Sequence, residues 1–310
     1  MRIESHARGV LLVIASELMF ASMGATVKLV AAELPNEVIV FFRNLVGLLV
    51  LLPWLVRHPP ALRTPRQLRF HLLRGVAGIG AMYCFFFSLA HMPLAVAMLL
   101  ALTSPFFIPG IAFFWLREAV PVRVWLAIVI GFLGVAFVLQ PGLAAVAPVA
   151  PIALLGAALA ALAKVTIRRL TRTESSTAIV FYFSVTATLL SALALPWSWV
   201  TPSPKALGQL VVVGLFATSG QLLMTRALTL VPAAQLGPFT YVAVVVGALY
   251  GWWWWGEPIE PPMVAGALLI AMAGMVAGGL RVHPQDLAKH PRETVLQPSP
   301  KGASGSTRGL

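Results

Sequence analysis

Pro93-Leu94-Ala95-Val96 opens a stretch that closes 25 positions later on Leu116-Arg117-Glu118, and Pro232-Ala233-Ala234-Gln235 opens one that closes 25 positions later on Gly256-Glu257. Each runs from a short proline loop through an apolar, aromatic-rich segment to a lone acid. The echo continues upstream, where Ile39-Val40-Phe41-Phe42-Arg43 faces Ile179-Val180-Phe181-Tyr182-Phe183 at an offset of 140. The chain is therefore one unit written twice.

Everything around the repeat is apolar. Of 310 residues 59% are hydrophobic and 10% are charged, against roughly 25% charged in a soluble domain. A soluble core of this length has no room for that much apolar surface, so lipid is the expected solvent. The net charge of +12 does not carry a nucleic-acid reading. The basic residues lie mostly between apolar segments and in the tail, and they form no nucleic-acid motif. The single cysteine, Cys84, reads as a small core residue.

A membrane helix needs about 20 mostly apolar residues. The pattern gives an all-α membrane protein of ten spans, roughly 9–31, 37–56, 71–90, 94–116, 122–140, 150–169, 177–196, 206–229, 233–255 and 262–281. Prolines 53, 93, 121, 141, 196, 232 and 261–262 fall at or near the joins, where proline does least harm. Residues 9–140 form the first five-helix repeat and 150–281 the second, after a short N-terminal segment 1–8. The tail 282–310, rich in Pro, Ser, Gly and basic residues, is expected to be disordered. Lysines and arginines concentrate on one side of this topology, which places both termini in the cytoplasm. Five spans is an odd number, so the second repeat is inverted relative to the first. Inverted repeats leave a site between two exchangeable halves, the usual architecture of secondary transporters.

Deep polar residues are the candidates for function, because an unpaired charge in hydrocarbon is costly. Glu17 lies about nine residues into the first span, roughly 13 Å deep at 1.5 Å per residue. It shares a helical face with Ala21, Gly24 and Lys28. Ala157 or its neighbour stands at the equivalent place in the second half, so the acid is on one side of the repeat alone. Glu17 is the candidate to bind a proton or a cationic group. The alternative is a structural pair with a base on another span. Arg43 and Arg226 are candidates for substrate contact or gating, since a guanidinium can grip a carboxylate or phosphate bidentately. Gln221 belongs to the polar run before Arg226. Lys28 and Lys164 sit near span ends and are expected to snorkel.

Thr103-Ser104-Pro105 and Pro109 interrupt span four, and Gly237-Pro238 with Thr240-Tyr241 interrupts span nine. Broken helices commonly line transport cavities. Tyr83, Tyr182, Tyr241 and Ser104 are candidate cavity residues. Pro93, Glu118, Pro232 and Glu257 are expected to be structural, at helix ends. Gly131 and Gly134 in span five, and Gly266, Gly274 and Gly278 in span ten, allow close helix approach within the fold or in a homodimer.

The doubled Pro–(25)–Glu element resembles the drug/metabolite transporter superfamily, and specifically its EamA-type branch. The matching text is Leu89-Ala90-His91-Met92-Pro93-Leu94-Ala95 through Pro105 to Glu118, and Ala227-Leu228 through Pro232 to Glu257. It covers about residues 9–281. The resemblance implies an inner-membrane carrier with a central cavity lined by spans three, four, eight and nine and the first span of each half. Typical substrates are amino acids, nucleosides and compounds like S-adenosylmethionine. Arg74-Gly75 leading to Tyr83-Cys84-Phe85-Phe86 most resembles the S-adenosylmethionine carriers. No cofactor or metal is expected, and the histidines have no metal-ligand spacing. Partners are a small-molecule substrate, the bilayer and, through Glu17, protons. The alternatives are an uncoupled facilitator or exchanger, a drug exporter and, more distantly, a membrane-embedded enzyme.

Overall fold

The computed structural model describes residues 2–57, 65–111, 113–114, 122–139, 148–170, 176–230 and 237–278. Glu118, Pro232 and the tail 282–310 lie outside these residues. The described chain is helical throughout. Its helices are α1 (Arg2–Val30), α2 (Asn36–Arg57), α3 (Pro65–His91), α4 (Leu94–Ala101), α5 (Ser104–Ile111) and α6 (Val122–Val138). They continue with α7 (Ala150–Leu170), α8 (Ser176–Leu193), the single turn α9 (Leu195–Ser198) and α10 (Pro204–Leu230). A 3-10 turn (Gly237–Tyr241) leads into α11 (Val242–Trp255), and α12 (Pro261–Gly278) closes the bundle. Among the described residues, six stretches are long and apolar enough to cross a bilayer, and three shorter apolar helices accompany them. This is the all-α membrane architecture that composition requires.

Helices α1 and α3 start earlier than the sequence reading places them, α3 at Pro65 rather than near residue 71, and the breaks expected in spans four and nine take definite forms. Helix α1 starts at Arg2 rather than near residue 9, because nothing in 2–8 breaks a helix. Span four is two helices. Pro105 has no N–H and its ring opposes the carbonyl four residues back, so α4 stops at Ala101 and α5 starts at Ser104. At the break the Thr103 hydroxyl donates to Leu100 O at 2.6 Å, a carbonyl that also accepts from Thr103 N at 3.1 Å. In span nine the Gly237–Tyr241 segment is a tight 3-10 turn rather than α-helix.

The helices pair across the two halves. Helix α1 packs most closely on α10, α3 on α7, α6 on α12 and α4 on α11, while α2 packs on α10 and α8. Each of these contacts recurs under exchange of the two halves. The outer surface is the apolar one, with Leu49, Leu72, Val129 and Leu268 exposed. Trp197, Trp252 and Trp253 are also exposed, and they crowd one end of the bundle as an aromatic belt does. We call the end where α1 finishes and α2 begins the upper end.

The small-residue faces of α6 and α12 are spent inside the fold. A Cβ added to Gly266 would stand 2.5 Å from Gly134 O and 3.0 Å from the backbone N of Val138. These are backbone atoms, so neither helix can yield locally. Gly266→Ala is expected to cost about 1–3 kcal/mol by overpacking, read as a lower melting temperature in detergent. Gly208→Ala, where the added Cβ meets nothing within 4 Å, serves as the neutral control.

Candidate functional site

A cavity of about 290 Å³ opens between α1, α2, α3, α4 and α7. It exists because α7 presents Ala153, Gly156, Ala157 and Ala160 to it, and α4 presents Ala97 and Ala101. Phe20, Phe85 and Phe86 give it aromatic walls, and Arg43 is the charged residue in its lining. A few polar groups in a mostly apolar recess is the usual make-up of a small-molecule site. A wider hollow of about 570 Å³ beside α5 and α6 is lined by Phe106, Phe107, Phe114 and Trp125, with no charged residue to orient a solute.

Glu17 sits one helical turn below Phe20 on the same α1 face. Its side chain is buried, at 6% exposure, beside fully buried Ser16 and Ala21. The Ser16 hydroxyl donates to Gly220 O at 2.7 Å and ties that turn of α1 to α10. Lys164, one turn beyond Ala160 on α7, lies close enough for its charge to act on Glu17. The Lys164 ammonium donates to Ser104 Oγ at 2.7 Å, at the start of α5. Lys164 stays exposed along part of its length, and its ammonium is anchored on the break in span four, where Ser104 supplies an oxygen. Glu17, Lys164 and Ser104 thus form one polar cluster, held by α1, α7 and the α4–α5 break.

The upper end is closed by a second cluster. Gly256 adopts φ +63° and ends α11 in the left-handed conformation that glycine tolerates best. The next residue, Glu257, is thereby turned back over Gly251. Its Oε2 accepts from Leu94 N at 2.8 Å, and its Oε1 pairs with Lys28 Nζ at 2.6 Å. Pro93 precedes Leu94 and has no N–H, so Glu257 caps the N-terminus of α4, where the helix dipole favours an anion. Lys28 also donates to Met92 O at 2.6 Å and lies 5.5 Å from the Trp255 ring centroid. Lys28 is held inside the closure instead of snorkelling.

The other candidates are scattered. The Tyr83 hydroxyl is buried without a hydrogen-bond partner. The Tyr182 ring stacks on His71 at 4.4 Å, and the Tyr241 hydroxyl donates to Ile270 O at 3.0 Å. None of the three tyrosines is among the residues lining the central cavity, and Tyr241 borders a separate apolar hollow between α11 and α12. Gln221 is half-buried and Arg226 is exposed on α10, and neither lines the cavity. Arg74, near the start of the third span in the sequence reading, lies inside the bundle. Its guanidinium sits 3.9 Å from the Phe183 ring centroid and against the Cα of Gly78. The available signal was position, since Arg74 stands nine residues into a 27-residue helix. Among the described residues no group of three His, Cys, Asp or Glu is placed to hold a metal ion.

Comparison with known proteins gives a consistent picture. The model of the EamA-like transporter family matches twice, at residues 7–140 and 148–277. The pseudopaline exporter of Pseudomonas aeruginosa strain UCBPP-PA14 is 35% identical over 269 residues, covering 86% of this chain and 94% of that protein. An S-adenosylmethionine uptake transporter of Rickettsia prowazekii is 25% identical over 79% of this chain and 84% of its own length. A riboflavin transporter of Brucella anthropi is 29% identical over 78% of this chain and 87% of its own length. A solved crystal structure superposes with a TM-score of 0.60 at 20% identity, covering 87% of this chain and 96% of that one, which shows a shared fold. The chain belongs to the EamA-like transporter family and is a membrane transporter of small molecules.

Proposed function

We propose that this protein is a secondary carrier that moves a small organic metabolite by alternating access, with proton movement coupled through Glu17. The observation that carries the reading is the buried carboxyl of Glu17 one turn from the central cavity, within the field of Lys164. A carboxyl there exchanges a proton as its surroundings open and close, and Lys164 and Ser104 offer it a changing electrostatic partner. Residues 9–140 and 150–281 act as two repeats that rock about the cavity, with both termini in the cytoplasm of a cell whose inner membrane holds the carrier. The Lys28–Glu257 cluster ties α1, α4 and the end of α11 together at the upper end in this conformation. Relatives named for export and for uptake support the carrier class and leave direction to the gradients the cell supplies.

Counterflow in proteoliposomes tests the carrier reading. Vesicles loaded with S-adenosylmethionine, riboflavin or a dicarboxylate are diluted into the labelled compound. Transient accumulation above the protein-free control is expected for at least one. A carrier that supports no counterflow with any of a broad metabolite panel, while retaining a cooperative melt, would sink the reading.

A further inference from the structure

Charges inside this bundle fall into three sets. Lys28 and Glu257 offset each other at 2.6 Å, and Glu17 and Lys164 share one polar cluster. The third set is Arg43 and Arg74. Arg43 lines the central cavity, and it acts electrostatically on Arg74 across the α2–α3 contact. One Arg43 nitrogen donates to Asn44 Oδ1 at 2.9 Å, which leaves most of its fork unspent. Arg74 Nε is buried with no hydrogen-bond partner. Its guanidinium lies over the Phe183 ring and rests against Gly78, itself a lining residue of the cavity. Among the described residues, neither guanidinium forms an ion pair with a carboxylate.

Two like charges at membrane depth with no acid between them repel each other and lose hydration. A fold keeps such a pair where a ligand supplies the missing charge. Gly78 and Phe183 fix the Arg74 fork, and two guanidiniums present the paired donors that carboxylates accept bidentately. We propose that Arg43 and Arg74 form an anion site at the cavity wall, and that the transported solute is a small organic dianion bearing two or more carboxylates. The inference rests on the carrier reading and names the substrate class for the same cavity. Arg74 serves as a specificity-determining residue.

The test uses the full-length protein in detergent, with succinate and citrate as probes and propionate as the single-charge control. A ligand that binds the folded state raises its melting temperature. The wild type is expected to shift with citrate and succinate in a concentration-dependent way, and far less with propionate. Arg43→Gln and Arg74→Gln should each weaken the apparent affinity about tenfold or more, the worth of a charge-assisted bond pair. Arg74→Lys should recover little, because it keeps the charge and loses the fork. All three variants should melt, without ligand, at or above the wild-type temperature, since each removes or softens a repulsion. A double Gln variant that still shifts with citrate would overturn the site. So would a wild type that ignores di- and tricarboxylates at millimolar concentration. If S-adenosylmethionine or riboflavin shifts the protein and the carboxylates do not, the dianion class is wrong and the carrier reading stands. Failure of that reading shows separately, as absent counterflow.

Discussion

Proteoliposomes carrying Glu17→Gln are expected to exchange substrate across the membrane but to lose accumulation driven by a pH gradient or membrane potential. Glutamine keeps the size of the side chain and an acceptor oxygen, so the cluster with Lys164 and Ser104 should still assemble. What it cannot do is bind and release a proton. If one proton accompanies each cycle, its loss removes about 2.3 kcal/mol per 100 mV of membrane potential. That is roughly a 50-fold fall in the steady-state concentration ratio. Counterflow, which needs no coupling, should keep its rate within a few-fold of the wild type. The comparison separates coupling from folding, because a misfolded variant loses both. An unchanged accumulation ratio in Glu17→Gln would remove the proton role and leave Glu17 as the structural partner of Lys164. Lys164→Met should act in the same direction, since the ammonium is the base that shares Glu17's cluster.

The spans, the doubling and the broken helices were legible because they are local. A run of apolar residues, a proline after a hydroxyl, or a repeated spacing needs no knowledge of what packs where. Glu17 was legible for a related reason. A carboxyl nine residues into hydrocarbon is out of place whatever surrounds it, and its face-mates Ala21 and Gly24 are small. The cross-chain partners were not legible. Glu257 meets Lys28 and Leu94 from the opposite end of the sequence, and nothing within ten residues of Glu257 names either one. Lys164 and Arg74 show the specific weakness of counting depth along a helix. Depth says how far a charge lies from an end. It does not say whether the side chain rises to water or turns inward across the bundle. For Lys164 the deciding feature is the proline break that leaves Ser104 within reach. For Arg74 it is Gly78, one turn on, whose missing Cβ gives the guanidinium somewhere to lie. The tyrosines were legible as interior residues but not in their contacts. Tyr241 spends its hydroxyl on Ile270 O, the ordinary fate of an interior tyrosine.

Glu257→Ala should destabilise the carrier by about 3 kcal/mol, the cost of breaking a largely buried ion pair from one side. The side chains of Lys28 and Glu257 are 12% and 14% exposed, so water offers little replacement for the lost partner. Two groups are stranded by the change, the Lys28 ammonium and the Leu94 N–H that begins α4. Glu257→Gln separates them. The amide oxygen can still accept from Leu94 N, but the ammonium keeps only Met92 O. Its cost should therefore fall between wild type and alanine. Adding Lys28→Met to Glu257→Gln should restore part of the loss, because an uncharged pair has nothing to strand. The melting temperatures of the wild type, Glu257→Gln, Lys28→Met and the double variant in one detergent form the double-mutant cycle. A double variant less stable than Glu257→Gln alone would mean that Lys28 contributes through Met92 and Trp255 rather than through the ion pair. The same variants carry a functional consequence. Lys28, Glu257 and the N-terminus of α4 join α1, α11 and α4 at the upper end, so weakening them biases the carrier toward opening there. Glu257→Gln should raise the rate of labelling, by a membrane-impermeant thiol reagent, of a cysteine introduced at Ala97 on the cavity wall, in vesicles with the upper end outward. If labelling stays at the wild-type rate while stability falls, the pair holds the fold together without gating it.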